Sequence, residues 1–211
     1  MINNLAHALD RCDPEKPVRL LLRHGHRLPI PKGVFGAEVY LTEEGHQQAF
    51  AFGTKISHPL VSVVHSPIKR CGQTAEKIIS GANQPQGTTE HPELFLAYFL
   101  SQEAGQTILA NQPVRQTVED LITGKPIEGL RSLAEGSKIL LDLLFEKGEP
   151  GINLFVSHDL LICLLVHHLL GLSSYNPDLW PSFLEGIVFW EAQGTSYFSF
   201  NGKTEAFPQL D

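Results

Sequence analysis

The 211 residues include only three cysteines, Cys12, Cys71 and Cys163. They are scattered, odd in number and without a CxxC pair, so no disulfide framework is expected and a reducing compartment, the cytoplasm, is the simpler address. Cys71 is expected to be a half-buried structural residue rather than a reactive thiol. Positive charge is also short, with 16 Lys and Arg against 23 Asp and Glu and a formal net charge of -7. No basic field covers the chain, so nucleic acid is not expected as a partner. Long apolar runs are missing: LLICLLVHHLLGL (160–172) is too short and too rich in histidine to span a bilayer, so no membrane partner is expected. The start, MINNLAHALDRCDPEKP, has no cationic segment leading into an apolar core, and no export signal is expected. There is no internal repeat and no histidine pairing of HxxxH type with carboxylates, so neither metal nor cofactor is expected.

What remains is an ordinary globular composition, 42% hydrophobic and 18% charged, in a length that fits one domain over residues 1–211. VRLLL (18–22), LVSVVHS (60–66) and INLFVS (152–157) are continuous apolar runs, expected as strands buried on both faces. Between them lie helical spacings. Thr42 is the expected N-cap of a helix that turns Ala49, Phe52 and Ile56 to one face. Ser66-Pro67 is read as the cap and first turn of a helix to about Ile79. Glu128 to Lys147 reads as a long helix, and Asp159 to Leu170 as another, stopped by Gly171. GIVFWEA and TSYFSF flank Gln193-Gly194 as a terminal hairpin. Strand and helix alternate, which implies an α/β fold, a three-layer α/β/α sandwich with a mostly parallel sheet. Residues 81–130 carry weaker signals, a loop followed by two short helices, and are expected to form a small cap.

In such sheets ligands sit beyond the carboxyl ends of the strands. Arg23-His24, Ser66 to Arg70, and His158-Asp159 each follow an expected strand, so three charged clusters should meet at one edge. Arginines neutralise phosphate oxygens through paired hydrogen bonds, and Arg23, Arg27 and Arg70 are the candidates. A neutral imidazole in line, His24, could then attack phosphorus. His158 could donate a hydrogen bond to the phosphoryl group, and Asp159 could protonate the leaving oxygen. Asp159 also suits the first turn of a helix, and both uses are compatible. His26 is expected at the rim, His65, His167 and His168 within a strand or helix, and Trp180 and Phe183 in core packing.

RHGHRLP (23–29) resembles the RHGxRxP motif of histidine acid phosphatases, and VSHD (156–159) resembles their distant His-Asp pair. LTEEGHQQA (41–49) and HSPIKRCGQTAEKI (65–78) are similar to the phosphoglycerate-mutase branch of the same histidine phosphatase superfamily. The resemblance implies a phosphoglycerate-mutase-like fold and metal-independent hydrolysis of phosphomonoesters through a phosphohistidine. It implies His24 as nucleophile, Arg23, Arg27 and Arg70 as phosphate ligands, His158 as second histidine and Asp159 as proton donor. The substrate would be a phosphorylated small molecule or a phosphoprotein. The chain departs from both branches. The large helical insert and export signal of the acid phosphatases are not expected here, and residues 81–130 would roof the site instead. The mutase-branch glutamate falls on Leu96 in HPELFLA, which leaves Glu93 as the second candidate acid. Phosphomutase chemistry in the same pocket, and a phosphoprotein-binding module without turnover, are the competing readings.

Overall fold

The computed structural model describes residues 2–84, 87–146 and 148–207. Helix α1 (Ile2–Leu9) leads into β1 (Pro17–Arg23), in which Val18, Leu20, Leu21 and Leu22 are all inaccessible to solvent or nearly so. Pleating explains why an unbroken apolar run is needed there: Leu20 and Leu22 pack into one core, Leu21 into another. Thr42 caps α2 (Glu43–Gly53), its hydroxyl accepting from Gly45 N at 3.0 Å. Ala49, Phe52 and Ile56 then bury together against Ile78 of α3 (Lys69–Ala82).

Strand β2 (Leu60–His65) precedes α3, but the helix starts later than Ser66-Pro67 would suggest. Proline disfavours helical backbone at the residue before it, and Ile68 is extended (φ -75, ψ 126). Ser66 N continues the sheet ladder to Val156 O at 2.9 Å, and Ser66-Pro67-Ile68 become a connector.

The next segment forms a two-residue strand, β3 (Thr89–Glu90), and three short helices, α4 (Glu93–Leu96), α5 (Gln102–Asn111) and α6 (Val114–Ile122). The helix expected over 128–147 is shorter, α7 (Leu133–Phe145). Gly129 sits at φ +87, outside helical space, and Ser132 with Glu135 forms a complete capping box that fixes the start. The expected end at Lys147 lies outside the described residues. Strand β4 (Gly151–Ser157), fully buried, runs into α8 (Asp159–Leu169). After a 3-10 turn at Pro177–Leu179 come β5 (Gly186–Ala192), β6 (Thr195–Phe200) and β7 (Lys203–Phe207). The β5–β6 turn uses Gln193 and Gly194, both at positive φ, the geometry that matches strand twist in two-residue hairpins. β7 is not evident in the sequence because four of its five residues are exposed and carry no apolar alternation.

The seven strands are ordered β3-β2-β4-β1-β5-β6-β7. β3, β2, β4 and β1 form a parallel core, and β5, β6 and β7 extend it antiparallel. The fold is thus α/β and its sheet mixed, parallel where βαβ crossovers build it and antiparallel from β5 onward, where two hairpins finish it. One core, containing Phe52 and Ile78, packs α1, α2 and α3 on one face. The other, containing Tyr98, Leu140 and Leu161, packs α4, α6, α7 and α8 on the opposite face. No helix among the described residues is long and apolar enough to cross a membrane.

Candidate active site

Register decides where the charged residues fall. Arg23 at the end of β1 pairs with Ser157 of β4, and His65 at the end of β2 pairs with Val156. His24, Ser66 and His158 are therefore the first residues past three adjacent parallel strands. His24 N donates to Ser157 O at 3.0 Å, and Arg23 N to Glu185 O at 2.8 Å. The turn after His24 is clamped from below: Gly25 N donates to Thr74 Oγ1 (2.9 Å), which itself donates to Arg70 O (2.7 Å). Gly45 lets α2 lie directly on this turn, since a Cβ there would overlap the His26 carbonyl.

His24 is 2% exposed and its two ring nitrogens have separate tasks. Nδ1–H donates to Gly25 O at 2.8 Å, and Nε2 accepts from Arg70 Nε at 2.9 Å. Arginine cannot accept, so this pairing assigns the proton to Nδ1 and the lone pair to Nε2. Burial first, then the charges of Arg70, His158 and Arg23, holds the imidazole well below its ordinary value of 6.5. The ring is neutral, with its lone pair on Nε2.

Arg70 is buried and spreads over three acceptors. Besides His24 it donates from Nη1 to Gly36 O (2.9 Å) and from Nη2 to His158 Nδ1 (3.3 Å). Gly36 turns the loop back at φ +76, where a Cβ would strike Ile30. His158 must then carry its proton on Nε2, which donates to Ser66 Oγ at 2.9 Å. Burial and the arginines Arg70, Arg23 and Arg27 keep this second imidazole neutral as well.

Arg23 donates from Nη1 to Pro181 O (2.8 Å) and pairs through Nη2 with Asp159 Oδ2 (2.6 Å), its guanidinium lying 4.1 Å over the Phe183 ring. Its Nε is buried without an acceptor, a donor for which an anionic ligand could supply the partner. Asp159 opens α8 and accepts from Leu160 N at 3.0 Å through Oδ1. Arg27 is half-exposed and donates to Leu28 O.

His24, Arg27, Arg70, His158 and Asp159 all line one cavity of about 500 Å³. Arg23, expected as a phosphate ligand, is not among the lining residues and reaches the site through its pair with Asp159. Glu93 is not among the lining residues; one of its carboxylate oxygens is buried without a partner. Leu96 packs on the core and its carbonyl accepts from Arg131 Nη1 at 2.9 Å.

Several expectations shift. Phe183 packs on the site rather than in the core, 5.7 Å from the His24 ring and 5.0 Å from His26. Cys71 is wholly buried, not half-buried, and burial raises its thiol to about 12. Ser66, Thr74 and the carbonyls of Gly36 and Pro181 do not stand out in the sequence as site groups. Only Ser66 carries a signal, as the residue that ends an apolar strand directly before the arginine helix.

The two neutral histidines set a pH limit. Their folded-state values are depressed, so the unfolded chain binds more protons below about 6.5 and stability falls as pH drops through that value. The slope is about 1.4 kcal/mol per pH unit for each histidine. Urea midpoints should fall from pH 7 to pH 5 while the His24 and His158 ring resonances titrate well below 6.5. Ring resonances that titrate near 6.5 would contradict the burial argument.

The chain belongs to the histidine phosphatase superfamily (branch 1), which it matches over residues 20–184. No curated protein matches the sequence. Among solved structures it is similar to YhfR of Bacillus stearothermophilus (18% identity, TM-score 0.60, covering 88% of this chain and 96% of that one). It is also similar to a mutant of phosphoserine phosphatase from Entamoeba histolytica in complex with phosphoserine (22%, 0.58, 87% and 96%). A phosphoglycerate mutase from Bacillus anthracis is a third (16%, 0.54, 92% and 93%). At these identities the likeness is one of fold, and it is the phosphoglycerate-mutase-like fold expected from the sequence.

Proposed function

We propose that the protein hydrolyses phosphomonoesters through a phosphohistidine formed on His24. The observation that carries this reading is the neutral His24 with its lone pair on Nε2, under the guanidinium of Arg70. A phosphoryl dianion is a better acceptor than an imidazole, so it draws Arg70 onto its own oxygens and uncovers the lone pair. Arg23 and Arg27 complete the cradle. The dianion also draws Arg23 out of its ion pair with Asp159, and the released carboxylate takes up a proton from solvent. Nε2 attacks phosphorus, the phosphorus–oxygen bond to the leaving group breaks, and that oxygen takes this proton from Asp159. The imidazole gains positive charge as the bond forms. The Gly25 carbonyl, already accepting from Nδ1–H, stabilises it.

Water then attacks phosphorus, its proton passes to the Asp159 carboxylate, and the phosphorus–nitrogen bond breaks to release phosphate. Asp159 as acid follows the His-Asp pair of the histidine acid phosphatases, and it is favoured over Glu93 because it lines the cavity. Residues 81–130 serve as the cap, contributing Phe95, Phe99 and the 109–114 turn to the cavity wall. The arginines supply the charge neutralisation that a divalent ion supplies elsewhere, so hydrolysis should persist in chelator.

Asp159→Asn tests the acid. It should lower kcat for an alkyl phosphate by about 10²- to 10⁴-fold, and far less for 4-nitrophenyl phosphate, whose leaving group needs no proton. An equal loss on both substrates would assign Asp159 to holding Arg23 instead. A phosphomutase would transfer the phosphoryl group within a bisphosphate faster than to water, and a binding module would hold phosphopeptide without release. Phosphate release measured over both substrate types separates these readings.

A further inference from the structure

Beyond the phosphate cluster the cavity is built from apolar side chains. Phe35, Phe95 and Phe99 form a continuous aromatic wall, with ring centroids 5.0 and 5.3 Å apart, and Phe95 meets the His158 ring edge-on at 5.9 Å. Leu109, Val114 and Leu161 line the cavity with it. Phe95 and Phe99 are buried, so the wall is fixed by core packing rather than assembled on contact.

The polar lining residues outside the phosphate cluster are Lys32, Asn111 and Gln112. Asn111 Nδ2 already donates to Thr107 O (2.8 Å) and Gln112 Nε2 to Asp120 Oδ2 (3.2 Å). Lys32 is exposed in the 30–36 loop. The Phe35–Phe95–Phe99 wall itself offers no hydrogen-bond partner, so a carboxylate, ammonium or sugar hydroxyl carried against it would lose water without compensation there. Val34, a lining residue, is 50% exposed, so apolar surface reaches the cavity's open side.

We propose that the leaving group this site accepts is apolar, an aliphatic or aromatic alcohol large enough to reach the Phe35–Phe95–Phe99 wall, and not a phosphorylated amino acid, glycerate or sugar. This rests on the phosphatase reading above. An in-line leaving group departs on the side of phosphorus opposite His24. A cavity of about 500 Å³ leaves room there for a group well beyond the size of serine.

The test uses primary alkyl phosphates, so that leaving-group chemistry is constant: ethyl, butyl and hexyl phosphate beside glycerol phosphate and phosphoserine. The value of kcat/KM should rise about three- to fourfold per methylene, the factor for burying one such group. Hexyl phosphate should exceed glycerol phosphate by about 30-fold or more. Val34→Asp should flatten the series. The matching alkylphosphonates, which cannot be hydrolysed, are measured by calorimetry in parallel. Hydrolysis without length dependence, or with preference for phosphoserine, overturns the apolar site and leaves the phosphatase standing. No hydrolysis, with phosphonate binding that tightens along the series, leaves the apolar site standing and removes the phosphatase. Flat phosphonate binding without hydrolysis overturns both.

Discussion

Replacing His24 by alanine should lower phosphate release by about 10⁴-fold or more, close to the limit of detection over background. That loss, about 5.5 kcal/mol of barrier, follows from the proposed bond between the imidazole and phosphorus. Without the imidazole the proposed arginine cradle should still bind phosphate but would have no atom to hand it to. The substitution leaves the backbone anchor intact, because His24 N donates to Ser157 O whatever the side chain. Substrate affinity should therefore persist while kcat collapses, and added imidazole should restore part of the rate by entering the vacated space. Full activity in the variant would remove His24 from the chemistry.

The second large effect is expected at Arg70. Arg70→Ala should cost about 10³-fold in kcat/KM, in the range found when a transition-state cation or oxyanion donor is deleted. Arg70→Lys keeps the charge and loses the fork, so a loss of about 10²-fold is expected. A separate signature distinguishes this from damage to folding. Arg70 is the largest charge contribution lowering the His24 proton affinity. Removing it raises the His24 value toward its ordinary range, protonates the ring at higher pH, and moves the acid limb of the kcat/KM profile upward. A profile that loses height without moving would mean that Arg70 acts on phosphate alone.

How much of this is legible in the sequence varies with the range of the interactions. The buried strands announce themselves, because a strand covered on both faces must be apolar at every position, as VRLLL and INLFVS are. The three clusters can be assigned to one edge for a topological reason: parallel strands joined by helices end on the same side. Start points of helices are less legible where a proline or a positive-φ glycine intervenes, as at Pro67 and Gly129. The partners of the site side chains cannot be read at all. That Arg70 faces the carbonyl of Gly36, or that Ser66 accepts from His158, depends on loops whose path no local pattern encodes. Phe183 departs from its expected place in the core because an aromatic ring packs equally well on a core or on a guanidinium, and here it covers Arg23.

The proposed phosphorus–nitrogen bond should itself be trappable. Mixing the protein with a ³²P-labelled alkyl phosphate, quenching within milliseconds in alkali and mapping the label should give near-stoichiometric, acid-labile, alkali-stable phosphate on the peptide that contains residue 24. The same label on another residue, or rapid turnover with no phosphoenzyme at any quench time, would contradict a histidine nucleophile.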